Sequence, residues 1–284
     1  MKKILRSLPL LLCIIVCFTG CSKNLDLALP AHEPLLVLNG VFHPDSVFMV
    51  DLSSNNPMSS NQDFPSVTNA SAKLFRNGQF LTDLHHSKDG IYKAQIKPQA
   101  LEQYQIKVTA PGFPPISATS NVPSLPVVEQ VIASVSNPRD PVFSGKEVNV
   151  SLKLEDGPAE ENFYFLQAYT YATDHLGKTY TKFITVSFIS PDEYNFQRDA
   201  RYFFSDKVLK AESTKLILHL ETDPSDTTIL QIARITPEYY KYGKTFNEHH
   251  YADHNINKTA VFNNVQNGLG LFAGYNAITI SIKP

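Results

Sequence analysis

The sequence has no tryptophan, only three methionines and only three cysteines in 284 residues. The cysteines are Cys13, Cys17 and Cys21, so no disulfide can staple the chain beyond residue 21 and its core must stand unaided. The lack of tryptophan removes the strongest stacking platform for sugars and counts against a dedicated carbohydrate surface. Charge is sparse: 18% of residues are Asp, Glu, Lys or Arg, the formal net charge is −2 and the pI is near 6.5. Such a balance excludes a basic surface that neutralises nucleic-acid phosphates. No apolar run reaches the roughly 20 residues of a membrane-spanning helix, and the longest is Leu8–Phe18. A G-x-S-x-G elbow, a Walker loop, an HExxH pair and the kinase motifs are all missing.

What is present is apolar and aromatic: 43% hydrophobic residues, with 18 Phe and 13 Tyr. That composition excludes disorder, collagen and coiled coil, and the length suits one large or two ordinary domains. At the N-terminus Lys2, Lys3 and Arg6 precede the uncharged Leu8–Phe18, and Thr19, Gly20 and Cys21 follow. A basic start and a short apolar core are the parts of a secretory signal, expected over residues 1–20. The small-small-Cys end resembles the lipobox of bacterial lipoproteins, with Phe18 where Leu is commoner. That resemblance implies acylation at Cys21 and a lipidated tether over 21–34. The alternative is a plain secretory signal with an incidental cysteine. Cleavage takes three cations and no anion, leaving the body more acidic than the whole chain.

From Leu35 the pattern has period two, the mark of half-buried strands. Leu35–Phe42, Ser46–Ser53, Ala70–Phe75, Phe80–Leu84, Gly90–Ile96, Tyr104–Ala110 and Ile116–Val122 read as strands, with a tight hairpin at Asn77-Gly78. This predicts an immunoglobulin- or prealbumin-like β-sandwich over 35–122. The segments DGIY (Asp89–Tyr92) and YQIKVTAPGF (Tyr104–Phe113) resemble strands of prealbumin-like and carboxypeptidase-regulatory-like sandwiches of bacterial surface proteins. The segment 123–126, PSLP, reads as a linker. Strands at Val127–Val135, Val148–Leu154, Asn162–Tyr171, Thr179–Phe188, Leu216–Leu220, Thr227–Ile235 and Ile278–Ile282 predict a second, larger β-sandwich over 127–284. One helix is expected near 237–251. Thr236 is its cap, Pro237 and Glu238 its first turn, and Tyr239, Tyr242 and Phe246 its packing face. The fold class is therefore all-β, with two sandwich domains and one packed helix.

The order of these features resembles a family of outer-membrane lipoproteins of Bacteroidetes-type bacteria known only as a domain of unknown function. The resemblance runs through Cys21, LLVLNGVF (Leu35–Phe42), VTNASAKLF (Val67–Phe75), DGIY, PSLP and ITPEYYKYG (Ile235–Gly243). Its most specific element is NNVQNGLGLFAGYN (Asn263–Asn276), where Asn267, Gly268, Leu269, Gly270, Phe272, Gly274 and Tyr275 form the signature. Members often stand beside TonB-dependent receptors. The resemblance thus implies an accessory lipoprotein in nutrient uptake, attached to the outer membrane by its lipid, with palmitate or a similar acyl chain on Cys21. Whether it faces the cell surface or the periplasm stays open, since Ser22–Asp26 carries a single acid.

Candidate sites are few. The glycines of NGLGLFAG (Asn267–Gly274) lack the dinucleotide-binding pattern and read as tight turns between strands, with Leu269, Leu271 and Phe272 packing inward. EHHYADH (Glu248–His254) is the one dense group of ligand types. His250 and His254 stand at helical spacing beside His249, a metal-site candidate that reads first as a solvated turn. His85-His86 and the acidic pairs Glu160-Glu161 and Asp192-Glu193 read as surface groups. Asp45-Ser46-Val47 and Asp226-Thr227-Thr228 resemble a short O-glycosylation sequon of exported Bacteroidetes proteins. The expectation is a non-catalytic protein without cofactor, nucleic acid or metal, partnered by a TonB-dependent receptor. An independent glycan- or peptide-binding lipoprotein is the alternative, and a metal-dependent enzyme the third reading.

Overall fold

The computed structural model describes residues 33–57, 63–136, 146–155, 161–184, 186–188, 195–198, 200–207, 215–222, 227–251 and 259–283. In the first half the strands are β1 (Leu36–Phe42), β2 (Phe48–Ser54), β3 (Ser71–Arg76), β4 (Gln79–Lys88), β5 (Ile91–Ala94), β6 (Gln103–Thr109) and β7 (Ile116–Asn121). Then come β8 (Val128–Ser136), β9 (Lys146–Leu154), β10 (Phe163–Thr173), β11 (Thr179–Ile184), β12 (Val186–Phe188), β13 (Asn195–Arg198) and β14 (Arg201–Ser205). The chain closes with β15 (Lys215–Thr222), β16 (Thr228–Ile235), helix α1 (Pro237–Tyr251) and the long β17 (Leu269–Ile282). The protein is mostly β with one helix among the described residues. That helix is neither long nor apolar enough to cross a membrane.

Thirteen strands join in one sheet, ordered β13-β14-β10-β16-β17-β1-β2-β5-β4-β3-β6-β7 with β11 attached to β10; a second sheet runs β12-β15-β9-β8. In the first half, alternate residues enter one core: Leu36 and Leu38, Val50 and Leu52, Ala72 and Leu74, Tyr104, Ile106 and Val108. The hairpin at Asn77 and Gly78 has positive φ at both residues, the geometry that the Asn-Gly pair permits. Asn77 also accepts from Gln103 N and donates to Glu102, which ties the turn to β6.

The second half is layered differently. Along β10, Tyr164, Leu166 and Ala168 meet β9 residues Val148, Val150 and Leu152 in one core. Phe163 and Phe165 face the other way, toward Tyr239 and Tyr240 of α1. Both faces are covered, which is why Phe163–Ala168 is buried at six consecutive positions. The expected strand over 179–188 is two strands serving different sheets: β11 pairs with β10 and β12 with β15.

β17 joins the halves. Its first part pairs in parallel with β1, from Val37–Leu269 to Phe42–Gly274; its second part pairs antiparallel with β16, from Ile235–Tyr275 to Thr228–Ile282. Residues 34–284 form one compact unit. The 123–126 segment is docked rather than loose. Arg234 Nη1 donates to Ser124 Oγ at 2.6 Å, and Asn276 Nδ2 donates to Pro123 O at 3.1 Å.

The helix begins as its sequence indicates, but Thr236 does not cap it with its side chain. The Thr236 hydroxyl is buried without a hydrogen-bond partner. Its backbone does the joining instead, donating to Gly274 O at 3.2 Å and accepting from Tyr240 N at 3.2 Å. β17 occupies the place where a solvated cap would turn.

Candidate functional site

Asn267 and Gly268 lie in the turn that leads into β17, as the sequence suggests, whereas Gly270 and Gly274 lie within the strand. The reason is the close passage of neighbouring backbone. A Cβ at Gly270 would stand 2.1 Å from Leu38 O, one at Gly274 2.2 Å from Asn121 O, and one at Gly268 2.8 Å from Leu36 O. Gly270 also holds φ +116, which side chains rarely adopt. Asparagines complete the lock. Asn264 accepts from Phe272 N at 2.9 Å and donates to Phe272 O at 2.8 Å, a side-chain imitation of a strand neighbour. Asn263 accepts from Val265 N at 2.9 Å and donates to Gly268 O at 2.9 Å, while Asn267 donates to Pro115 O. Phe272 and Leu271 are buried, and Leu269 is 36% exposed. Tyr275 stacks on His43 with ring centroids 4.5 Å apart. Burial, with Tyr239 nearby, pushes its hydroxyl up to about 12, Arg201 acting against that shift.

The histidine group does not assemble as far as it is described. His249 Nδ1 lies 2.9 Å from Thr259 O, and His250 stacks on Phe246. His254 lies outside the described residues, among which no three His, Cys, Asp or Glu gather as metal ligands do. Cys21, Asp226, Glu160, Asp192 and Glu193 also lie outside them. Asp45 is exposed in the turn before β2, and its carboxylate sits 3.9 Å from His43.

A concavity among the described residues brings Tyr239, Tyr242 and Leu271 together with two arginines that sequence reasoning passed over. β13 and β14 pair antiparallel, with Phe196 opposite Phe203 and Arg198 opposite Arg201. Opposite residues point to the same face, here the face under α1. Phe196 and Phe203 stack at 4.8 Å, and Gly243 lets the helix settle on them, since a Cβ there would meet Phe196 at 3.0 Å. That contact sets Tyr242 and Phe246 over the Arg198 guanidinium, at 5.4 and 3.8 Å from the ring centroids. Arg201 lies 5.3 Å from the Phe165 centroid and donates from Nη1 to Tyr239 Oη at 3.3 Å.

Between these side chains and the outward face of β1 lies a hollow of about 270 Å³, floored by Asn39, Gly40, Val41 and Leu271. A second hollow of about 440 Å³ adjoins it, sharing Asn39 and Tyr242. Val37, Leu269, Phe246, Val261 and Phe262 give it apolar walls. Neither described lining contains a carboxylate, an imidazole or a thiol. The chemistry offered is that of binding: two guanidinium groups, aromatic faces, the amides of Asn39, Asn55 and Asn263, and an apolar trench. The sequence signal was faint. NFQRDARYFF shows two arginines flanking a turn between aromatic strands, and the helix that frames them comes much later.

Fold and cavity together define a mostly β protein with a docked helix and, among the described residues, a cationic, aromatic hollow beneath it. The chain belongs to the family described as Domain of unknown function (DUF4249), whose family model matches residues 22–281. No curated protein matches it. Among solved structures it is similar to trypsin-activated alpha-2-macroglobulin from Escherichia coli, at 12% identity and a TM-score of 0.21. That match covers 74% of this chain and 15% of the other, a likeness too slight to transfer shape or function.

Proposed function

We propose that this protein is a non-catalytic lipoprotein, anchored in the outer membrane through acylated Cys21, that serves a TonB-dependent transporter as an accessory or ligand-binding partner in nutrient uptake. The observation that carries the binding role is the pair of adjoining hollows between β1, β17, α1 and the β13–β14 hairpin. The anchor rests on the lipobox-like end of the signal sequence. A surface for the transporter is offered by the β10–β11 hairpin, where Tyr171 and Phe183 are 60% and 53% exposed and Leu176 stands at the tip. Exposed aromatic clusters of this kind favour partner contacts.

The test is co-purification. A C-terminally tagged protein is extracted from outer membranes in mild detergent, and its partners are identified by mass spectrometry. A stoichiometric TonB-dependent receptor is expected, lost from a Phe183→Glu, Tyr171→Glu variant that stays folded. An intact protein in the outer-membrane fraction with no partner replaces this reading with the independent glycan- or peptide-binding lipoprotein, for which the same aromatic hairpin supplies the contact surface. Palmitate labelling abolished by Cys21→Ala is the expected sign of the anchor, and labelling that persists in that variant rejects it.

A further inference from the structure

We propose that the two adjoining hollows bind a small organic acid, its carboxylate held at Arg201 and its apolar body lying in the trench. This rests on reading the hollows as a binding site and is independent of any transporter. The β13–β14 register places Arg198 and Arg201 directly opposite one another on one face, an arrangement that like charges disfavour. Aromatic faces offset that repulsion: Phe246 lies 3.8 Å from Arg198 and Phe165 5.3 Å from Arg201.

Arg201 is the sharper observation. It is half-buried, its Nε is sealed from solvent without a hydrogen-bond partner, and its one side-chain hydrogen bond among the described residues is the 3.3 Å contact to Tyr239. No carboxylate pairs with it among the described residues. Arg201 lines the smaller hollow with only that neutral partner, and a planar carboxylate is the group a guanidinium fork matches best. Asn39 and Tyr242 stand where the two hollows meet, placed to serve the second carboxylate oxygen. Beyond them Val37, Leu269, Phe246 and Phe262 line space for an alkyl or aryl body. Hollows of about 270 and 440 Å³ suit a small molecule and not a folded partner.

The test uses the full mature chain with Cys21→Ser, which removes acyl chains that compete for an apolar trench. Calorimetric titration compares octanoate with octanol. Octanoate is expected to bind one per chain, about ten-fold or more tighter than octanol, the scale of one charge-assisted pair. Arg201→Gln should remove that ten-fold difference by weakening octanoate far more than octanol. Leu269→Asp, on the trench wall and partly exposed, should weaken both probes. Equal affinities in the unaltered chain, no octanoate binding by folded protein, or an undiminished difference in Arg201→Gln would overturn the proposal. Should Arg201→Gln fail to fold, the octanoate-to-octanol ratio in the unaltered chain and the loss in Leu269→Asp decide. Failure here with the receptor still co-purifying removes only the carboxylate site; octanoate binding without a receptor removes only the transporter role.

Discussion

β6 and β10 show how differently the two halves are built. Along Gln103–Thr109 every second residue is buried, because that strand has one covered face. Along Phe163–Ala168 no residue is exposed, because β9 covers one face and α1 the other. The helix therefore does more than add apolar area. By covering the second face of β10 and ending over β13 and β14, it turns a flat sheet surface into a walled hollow. The first half, with no such cover, has alternation and a good core; it gives the smaller hollow only its floor, Asn39, Gly40 and Val41, and the larger one Val37, Asn55 and Phe64.

β17 is where the comparison is most easily broken. Its even residues enter both cores, Phe272 in the first and Ile282 in the second, while Leu271 and Ala273 lie under the helix. Gly270→Val is expected to have the largest effect, since Leu38 O stands 2.1 Å from any Cβ there and φ is +116. We expect a loss above about 4 kcal/mol in urea unfolding, or no native protein at all. A loss near 1 kcal/mol would mean that β1 and β17 separate readily and the halves are independent.

Phe272→Ala and Phe204→Ala probe the two cores separately. Each empties a fully buried aromatic site and should cost about 3–5 kcal/mol. If β17 couples the halves, each variant shifts one shared unfolding transition, by circular dichroism and by tyrosine fluorescence alike. Two resolved transitions, with each variant moving only its own, would show that each half is a separate folding unit.

A smaller effect separates the helix face from the rest. Burial, with Glu161 and Glu248 nearby, pushes Tyr240 up to about 12, and burial likewise raises Tyr275 to about 12. Both hydroxyls are therefore more easily ionised in the unfolded chain, near 10. Their contribution is complete below about pH 10 and is lost as pH rises toward 12. Unfolding monitored across that window should steepen with pH, and Tyr240→Phe with Tyr275→Phe should flatten it. An unchanged slope in the double variant would mean that the alkaline loss arises elsewhere.

The same contrast explains what the sequence made legible. Strands with one wet face announced themselves by period two, as in Tyr104–Ala110 and Val148–Leu154. The helix was readable from Pro237, Glu238 and its tyrosine spacing. β1 pairing in parallel with β17 was not, because periodicity says which face is buried and nothing about which distant strand lies alongside. Gly270 and Gly274, within β17 rather than in a turn, misled for a related reason. A glycine needed for a turn and one needed for a neighbour's carbonyl look alike until the neighbour is known. Arg198 and Arg201 gave no clear signal in the sequence, and only the rings of Phe246, Tyr242 and Phe165 make them a site.

The smallest expected effect tests that last distinction directly. Gly78 shares positive φ with Gly270, at +80, but a Cβ there would meet nothing within 4 Å. Gly78→Ala should therefore incur only the conformational cost of a side chain in the left-handed region, about 1 kcal/mol by urea unfolding. Asn77 Nδ2 and Oδ1 still hold Glu102 and Gln103, so the β3–β4 turn stays anchored to β6. Backbone freedom and backbone room are then measured separately. A Gly78→Ala loss as large as that at Gly270 would mean that conformation alone governs both sites, and that the close approach of Leu38 O to β17 is not what the signature glycines protect.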